Sequence, residues 1–318
     1  MSKNFALIGA AGYVAPRHMK AIKETHNELV ALLDPFDSIG IVDSFFPNAD
    51  FFTEPERFDR HLDKRRRSGQ SKVDYVSICS PNYLHDAHIR LALRNQAHAI
   101  CEKPLVLNPW NLDALEEIEK ESGYHIYNIL QLRLHPAIIA LKKKIDALPS
   151  DKMADIDLTY ITSRGKWYYY SWKGNIAKSG GVVTNIGIHF FDMLSWIFGE
   201  VQDIKVHKLD ENKAAGFMQL KRARVRWFLS LDRNDLPKKA IDQQLPTYRS
   251  ITVDGKEIEF SGGFTDLHTE SYKNILAGKG FGITEARNSI NVVHKIRHSD
   301  ISGLKGDYHP FLGKHMAR

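Results

Sequence analysis

The chain has 318 residues, of which 43% are hydrophobic and 26% charged, and its formal net charge at pH 7 is +6. This length exceeds the roughly 250–300 residues at which a single core stops growing, so two domains are expected. The composition is ordinary for a globular protein, and no apolar run approaches the roughly 20 residues that cross a bilayer, so no membrane association is expected.

Basic residues are spread along the chain. The densest run, residues 64–67, falls at the predicted end of a helix, where cations complement the helix dipole and remain solvated. A positive net charge favours polyanionic partners, but no recognisable nucleic-acid motif accompanies it. Binding of nucleic acid is therefore not expected.

The compartment is predicted from the N-terminal segment and from cysteine usage. The apolar stretch 5–15 contains Gly9 and Gly12 and continues into a helical pattern, so it is not interpreted as a secretory signal. Cys79 and Cys101 each end a short apolar run and have no CxxC partner, which predicts buried free thiols. A reducing, cytoplasmic compartment is therefore expected.

In the first part of the chain, short apolar runs alternate with segments of helical period. The strands are predicted at residues 5–8, 29–33, 50–53, 73–79, 97–101 and 125–129. The helices are predicted at residues 16–25, 38–46, 54–68, 84–95 and 109–122, the last with Asn108 as its cap and Gly123 as its stop. This alternation predicts a doubly wound parallel sheet and a first domain over residues 1–130.

After residue 130 strands follow strands. They are predicted at residues 156–163, 201–209, 217–220, 223–232 and 249–253, with helices at 135–148, 181–198, 266–277 and 284–298. This order predicts a second domain, over residues 131–318, with a large mostly antiparallel or mixed sheet that is open on one face and carries helices on the other.

The first strand runs into a glycine turn. Gly9 and Gly12 precede a helix, so backbone N–H groups are expected to converge on an anion such as a pyrophosphate. The match to GxGxxG is imperfect, because Ala11 and Val14 occupy the second and third glycine positions. Asp34 closes the second strand, where a carboxylate accepts hydrogen bonds from ribose hydroxyls and repels the extra phosphate of NADP. The pattern predicts NAD; a tight turn with a capping aspartate is the alternative.

Further contacts are expected at the carboxyl edge of the sheet, where open parallel sheets hold ligands. The tripeptide Ser80-Pro81-Asn82 ends the fourth strand at this edge, although an ordinary turn explains it nearly as well. The residues predicted to contact the cofactor are Gly9, Ala11, Gly12, Tyr13, Val14, Asp34, Ser80, Pro81, Asn82, His85, Glu102, Lys103 and Gln131.

Two elements carry candidate catalytic side chains. The triplet Glu102-Lys103-Pro104 ends the fifth strand, and Lys103 there can reach a substrate, although most lysines in such loops are simply solvated. In the segment 180–192, Asn185 and His189 are four residues apart on a predicted helix and share a face, with Asp192 three residues further on. These three side chains are candidates to line one pocket; a core-packed histidine is the alternative for His189.

On the glycine turn, the triplet and the segment 180–189, the chain resembles the family of glucose–fructose oxidoreductase and inositol dehydrogenase over nearly its whole length. That family has a Rossmann domain followed by a domain with a large, mostly antiparallel sheet. The resemblance implies that Lys103 contacts the reacting hydroxyl and precedes a cis proline. Many members carry an acid where Asn185 stands, so proton acceptance is expected to fall on His189, with Asn185 as a neutral hydrogen-bonding partner.

The chemistry that these residues suit is the oxidation of a secondary alcohol, in which a base removes the hydroxyl proton while hydride moves to a nicotinamide. His189 suits proton acceptance because an unperturbed histidine titrates near pH 6.5, and a protonated Lys103 would stabilise negative charge on the oxygen. Arg133, just past the sixth strand, is expected to enter the substrate cleft or to begin a surface helix. No metal is expected.

Residues 185–192 and 131–133 and the aromatic run 167–172 resemble one branch of the family. That branch oxidises UDP-N-acetylglucosaminuronic acid at C3 and supplies 3-keto sugars to an aminotransferase in bacterial surface-polysaccharide synthesis, such as that of lipopolysaccharide O-antigen. The resemblance implies a UDP-sugar substrate, reoxidation of bound NADH by 2-oxoglutarate, and a homo-oligomer, either a tetramer or a dimer.

Cations surround the aromatic run, as a diphosphate and a carboxylate require. Substrate contacts are predicted for Lys103, Arg133, Arg164, Lys173, Asn185 and His189. The aromatic run is equally suited to a subunit interface, where Trp and Tyr are enriched. Two other functions stay open: a dehydrogenase of a free sugar or cyclitol, and an NAD-binding sensor that has the fold without turnover.

Overall fold

The computed structural model describes residues 2–68, 72–258 and 266–316. The chain divides into two compact units. The first is formed by residues up to Gln131 together with a return segment that ends at Arg287, and the second by the rest of the chain. The predicted domain boundary after residue 130 is close to Gln131, where the chain first leaves the first unit. However, the prediction placed all of residues 131–318 in the second domain, whereas the return segment belongs to the first unit.

The first unit contains a six-stranded parallel sheet. Its strands are β1 (Asn4–Ile8), β2 (Glu28–Leu33), β3 (Asp50–Phe52), β4 (Tyr75–Ile78), β5 (His98–Cys101) and β6 (Ile126–Asn128). They lie in the order β3-β2-β1-β4-β5-β6, and every neighbouring pair is parallel. The order reverses between β1 and β4, and ligands bind beyond the carboxyl ends of the strands at such a switch point.

The helices of this unit before residue 131 are α1 (Ala15–Glu24), α2 (Pro55–Arg67), α3 (His85–Arg94) and α4 (Pro109–Ser122). Helix α4 begins after Asn108 and ends at Gly123, which has a left-handed φ of 71°, so the predicted positions of both helix ends are confirmed. The helix predicted at residues 38–46 is only a short 3-10 turn, Gly40–Ser44. Cys79 and Cys101 are buried free thiols, as predicted.

The second unit contains a mixed six-stranded sheet. Its strands are β7 (Ala154–Thr162), β8 (Val201–Leu209), β9 (Lys213–Leu220), β10 (Ala223–Ser230), β11 (Thr247–Val253) and β12 (Lys256–Glu257), in the order β12-β11-β7-β10-β9-β8. The central pair β7–β10 is parallel and the other pairs are antiparallel. The predicted fold class is confirmed for both sheets.

The remaining helices are α5 (Pro136–Asp146), α6 (Lys166–Tyr170), α7 (Ile176–Ser179), α8 (Ile188–Phe198), α9 (Lys238–Asp242), α10 (Leu267–Leu276), α11 (Ile283–Arg297) and α12 (Pro310–Met316). Helix α8 packs on one face of the second sheet, where Phe191 meets Trp227. Neighbouring side chains of a strand point to opposite faces, so Phe228 lies on the other face, against Phe311 and Leu312. The face that was predicted to be open is thus partly covered by the C-terminal segment.

Helix α10 belongs to the core of the first unit. Its Tyr272 and Ile275 are buried with Phe5, Leu7 and Met19 in one hydrophobic cluster. The sequence pattern predicted this helix but gave no indication of where it packs, because that contact joins segments more than 240 residues apart. The return of α10 brings new polar side chains to the first sheet.

One stretch, Ile176–Phe198, is long and apolar enough by composition to cross a membrane, contrary to the expectation that no segment approaches this length. However, 78% of its most apolar window is buried inside the protein, which is the environment of a core helix. Gly180 and Gly181 have φ values of 77° and 72° and divide it. This stretch is therefore weak evidence for a membrane span.

Candidate active site

The glycine turn lies at the carboxyl end of β1. Gly9 has a φ of 89°, and a Cβ there would come within 2.6 Å of the Cys79 backbone, so only glycine allows the turn to close against the end of β4. The Gly12 N–H donates to the Gly9 carbonyl at 3.0 Å, and Pro16 stands in the first turn of α1. The two glycines and the following helix are thus arranged as a phosphate-binding turn requires.

Asp34 lies directly after β2 and is 6% exposed. One carboxylate oxygen accepts the Ala11 N–H and the other accepts the Phe36 N–H, both at 2.9 Å. These bonds fix the carboxylate beside the glycine turn, where an acid selects the unphosphorylated ribose of NAD. The two elements of the predicted nucleotide site therefore touch each other in the structure.

The loop after β4 is held by a buried histidine, His85. The two ring nitrogens of His85 lie 2.9 Å from the Ser80 carbonyl oxygen and 2.7 Å from the Pro104 carbonyl oxygen, and a neutral ring donates to one of the two. Burial lowers the pKa of His85. His85 therefore bridges the loops after β4 and β5, whereas the sequence suggested only a cofactor contact for it. Asn82 in the same loop is buried.

Lys103 follows β5 at the same edge, is half-buried, and precedes a cis peptide bond to Pro104. Its neighbour Glu102 is buried and is not a surface acid. One Glu102 oxygen accepts from His18 at 3.0 Å and from His268 at 2.9 Å. Burial raises the pKa of Glu102, but these two hydrogen bonds outweigh it and hold the pKa well below the usual range.

Sequence reasoning missed this cluster. His18 lies on α1 and His268 on α10, so a chain-order search cannot bring them together. A signal for part of it was present, because His268 and Tyr272 are four residues apart on a predicted helix and share a face.

Gln131, another predicted cofactor contact, follows β6. Its side-chain oxygen is buried and lacks a hydrogen-bond partner within the described ranges. A buried acceptor of this kind is costly unless a donor from a ligand or water satisfies it. The Gln131 oxygen is thus suited to accept a hydrogen bond from a ligand.

In the second unit, Asn185 and His189 lie on or beside an irregular helical turn. Residues Val183–Gly187 form a π-helix that leads into α8, and such turns occur frequently at functional sites. Gly187 is packed so closely that a Cβ there would meet Leu229 and Phe191 side-chain atoms within 2.8 Å. Asn185 is buried and donates to the Tyr168 hydroxyl at 3.0 Å, and His189 is half-buried.

Arg133 and Asp192 form a buried ion pair. The Arg133 Nε and Nη2 donate to the two oxygens of Asp192 at 2.9 and 2.7 Å, and both side chains are less than 10% exposed. Asp192 was predicted to line a pocket with Asn185 and His189, and Arg133 to enter a cleft. The structure instead joins Arg133 and Asp192 to each other in a bidentate geometry, and the substrate contact of Arg133 stays a prediction.

The aromatic run contains both buried and exposed rings. Tyr168 is buried, whereas Trp167 is 55% and Tyr170 88% exposed. The Lys173 ammonium lies 4.5 Å from the Trp172 ring centroid and 5.6 Å from that of Trp167, which are cation–π distances. Burial, followed by the charge of Arg164, lowers the pKa of Lys173. Arg164 itself is exposed.

A parallel sheet with a glycine turn after its first strand and an acid after its second defines a dinucleotide-binding domain, and Lys103 follows the fifth strand at the edge of the sheet where ligands bind. Residues 3–128 match the family model for the oxidoreductase family with an NAD-binding Rossmann fold, and residues 152–231 match that for the C-terminal alpha/beta domain of the oxidoreductase family. The chain belongs to this glucose–fructose oxidoreductase and inositol dehydrogenase family, and it is an NAD-dependent oxidoreductase.

Solved structures include a close relative. The WlbA (WbpB) dehydrogenase from Thermus thermophilus, in complex with NAD and alpha-ketoglutarate, is 52% identical, and the match covers 97% of this chain and 99% of that one with a TM-score of 0.94. The same dehydrogenase in complex with NAD and UDP-GlcNAcA is 51% identical over the same shares, with a TM-score of 0.93.

Curated relatives are more distant. The inositol 2-dehydrogenase of Rhizobium meliloti is 25% identical over 201 residues, which cover 63% of this chain and 56% of the relative. The D-glucoside 3-dehydrogenase of Escherichia coli is 24% identical, with 66% of this chain and 60% of the relative covered. The chain thus spans between about half and three-fifths of the length of these relatives.

Proposed function

We propose that this protein oxidises the C3 hydroxyl of UDP-N-acetylglucosaminuronic acid to the 3-keto sugar, with NAD as cofactor and 2-oxoglutarate as the oxidant that regenerates it. The observation that carries the proposal is the 52% identity, over nearly the full length of both chains, to a dehydrogenase whose structures hold NAD with alpha-ketoglutarate or with UDP-GlcNAcA. A 3-keto sugar of this kind is the precursor that an aminotransferase needs for surface polysaccharides such as O-antigen.

The first unit binds the cofactor. The backbone of the Gly9–Gly12 turn holds the pyrophosphate, and Asp34 holds the ribose hydroxyls. Its carboxylate is already oriented by the Ala11 and Phe36 N–H groups, which supports this role. The buried side-chain oxygen of Gln131 would accept a hydrogen bond from the cofactor. NAD supplies the hydride acceptor for the sugar and, once reduced, the hydride donor for 2-oxoglutarate.

The proton chemistry falls to two side chains. His189 takes the proton of the C3 hydroxyl, because a histidine titrates near neutral pH and Asn185, four residues before it, has no acidic group to share the task. Lys103, kept protonated, stabilises the negative charge that develops on the oxygen.

The second unit is proposed to bind the rest of the substrate. Lys173 and Arg164 offer positive charge for the diphosphate or the carboxylate of the sugar, and the exposed rings of Trp167 and Tyr170 offer surfaces for the uracil or sugar. We propose further that the enzyme is a cytoplasmic homo-oligomer, a dimer or tetramer, in which this unit also contributes the subunit contact.

Steady-state reduction of NAD with a matched panel of sugars tests the substrate. UDP-N-acetylglucosaminuronic acid should give the highest kcat/KM, UDP-N-acetylglucosamine should be weaker because it lacks the carboxylate, and free glucosides and myo-inositol should be weaker still. Faster turnover of a free sugar or cyclitol would overturn the proposal in favour of a different dehydrogenase. NADH formation with none of the panel in a protein that binds NAD would favour a sensor.

A further inference from the structure

A closed network of polar side chains lies beside Lys103 inside the first unit. Its members are Ser77 on β4, His18 on α1, Glu102 at the end of β5, and His268 and Tyr272 on α10, all less than 10% exposed. The Tyr272 hydroxyl lies 2.5 Å from the Ser77 hydroxyl and 2.8 Å from His18 Nδ1. Four side chains from three separate elements are thus linked, directly or through one another, to the acid that directly precedes Lys103.

The hydrogen bonds of this network have one consistent direction. Burial lowers the pKa of His18 and outweighs its hydrogen bond with Glu102, so the ring is neutral and carries one N–H. That N–H donates to Glu102, because a carboxylate with a lowered pKa only accepts. His18 Nδ1 therefore accepts from the Tyr272 hydroxyl, and Tyr272 accepts from Ser77. The hydrogen bonds therefore all run in one direction, and each group from Ser77 through Tyr272 and His18 donates to the next until Glu102 accepts.

Both oxygens of Glu102 are used. Oε1 accepts from His18 and His268, and Oε2 accepts the backbone N–H of Lys103 at 3.3 Å. Asn128 on β6 donates in addition to the Glu102 carbonyl oxygen at 3.3 Å and to the Cys101 carbonyl oxygen at 3.0 Å. The backbone on the N-terminal side of Lys103 is thus fixed by side chains from three other elements.

A metal ion is the competing interpretation, since His18, Glu102 and His268 present ligand atoms within 4.8 Å of one another. The separations of 2.9 and 3.0 Å from the histidine nitrogens to Oε1 are ordinary hydrogen-bond lengths. In addition, every proton that the network needs is supplied by its own members. The hydrogen-bonded interpretation is therefore favoured.

We propose that His18 and His268 are positioning residues for the reaction: by fixing the carboxylate of Glu102, they hold the backbone of Lys103 so that its ammonium meets the reacting oxygen. The inference rests on the proposed function, because Lys103 acts there. A displacement of about 1 Å at a catalytic group costs about a hundredfold in rate, so a network remote from the substrate has a large effect on turnover.

Two amide variants of one histidine test the proposal. The amide nitrogen of glutamine reaches the position of histidine Nε2, whereas that of asparagine reaches only that of Nδ1. His268→Gln therefore keeps the bond to Glu102 and His268→Asn loses it. We expect kcat to fall at least about tenfold in His268→Asn and to stay within about threefold of the parent in His268→Gln. KM for the sugar and Kd for NAD should change less than twofold in both.

A second pair of variants, at His18, and a control variant at an exposed histidine test whether a loss of kcat comes from the network and not from a general effect of replacing a histidine. His18→Gln keeps the bond to Glu102 and His18→Asn keeps only the bond to Tyr272, so the same ranking is expected at an independent position. This pair serves as the test should His268→Asn fail to fold. His298, exposed directly after the end of α11, is a control whose change to Asn should leave kcat and Tm at parental values.

A readout independent of turnover separates this inference from the proposed function. The rate at which an amine-reactive reagent labels Lys103, mapped by peptide mass spectrometry, should rise at least about threefold in the Asn variants and not in the Gln variants. Equal kcat and equal labelling in the Asn and Gln variants would overturn the inference even if the parent oxidises its sugar. Stoichiometric zinc in the purified protein would also overturn it. If the parent oxidises no sugar, the proposed function fails, and the labelling rates alone then test whether His18 and His268 position Lys103.

Discussion

The surroundings of the two residues proposed to perform the chemistry are built differently. Lys103 follows a regular strand, and its neighbour Glu102 is held by His18 and His268, which lie far apart in the sequence. His189 lies on a helix preceded by an irregular π-helical turn, and the same helix is anchored by Asp192. One of the two proposed catalytic side chains is thus supported by a buried polar network, and the other by helix geometry and a single ion pair.

The largest expected effect concerns Lys103. Lys103→Met keeps the length of the side chain and removes the charge that stabilises the developing oxyanion, so kcat should fall about a thousandfold. NADH absorbance with UDP-N-acetylglucosaminuronic acid measures it. Lys120→Met, which removes an exposed lysine from α4, is the matched control. A folded Lys103→Met variant with the parental kcat would show that Lys103 takes no part in the chemistry.

The buried ion pair between Arg133 and Asp192, which lies on the same helix as His189, should make a large contribution to the free energy of unfolding of the second unit. Asp192→Asn leaves a buried guanidinium without its charge partner and should lower the free energy of unfolding by about 3 kcal/mol, as measured by urea denaturation. Asp86→Asn, at the more exposed Arg90–Asp86 pair on α3, should cost less than about 1 kcal/mol. Equal losses at the two pairs would show that Arg133 and Asp192 do not anchor the helix.

His189→Ala is expected to lower kcat about a hundredfold, because it removes the proposed proton acceptor. The residual rate should rise with pH as hydroxide replaces the base, whereas the parent rate should level off above the pKa of the histidine. A pH profile of kcat distinguishes these cases. If the variant kept the parental profile, proton acceptance would lie elsewhere, and the helix would have only a structural role.

The smallest effect concerns the cofactor. Asp34→Ala removes the acceptor for the ribose hydroxyls and the negative charge that repels a 2′-phosphate, so Kd for NAD should rise about tenfold while that for NADP falls. Fluorescence titration of both nucleotides measures the two changes. Equal affinity of the parent for NAD and NADP would contradict the role given to Asp34.

The fold could be predicted, and candidate catalytic residues could be chosen, because both depend on local signals. Alternating periods predicted both sheets, and Asp34 and Lys103 lie at strand ends that a single pass along the chain identifies. The side chains that hold Glu102 beside Lys103 could not be predicted, since His268 and Tyr272 reach the first unit through a return of the chain that local periodicity does not encode. The ion pair of Arg133 could not be predicted for the same reason: an arginine after a strand can meet a substrate or a buried acid, and only the packing of α8 brings Asp192 to it.

The fate of the C3 hydride tests most directly whether the enzyme couples sugar oxidation to 2-oxoglutarate reduction. The enzyme should be incubated with NAD, 2-oxoglutarate and UDP-N-acetylglucosaminuronic acid deuterated at C3, and the products weighed by mass spectrometry. We expect a keto sugar without deuterium and 2-hydroxyglutarate that is heavier by one mass unit. A keto sugar that retains the deuterium, or 2-hydroxyglutarate formed without it, would contradict oxidation at C3 coupled to 2-oxoglutarate.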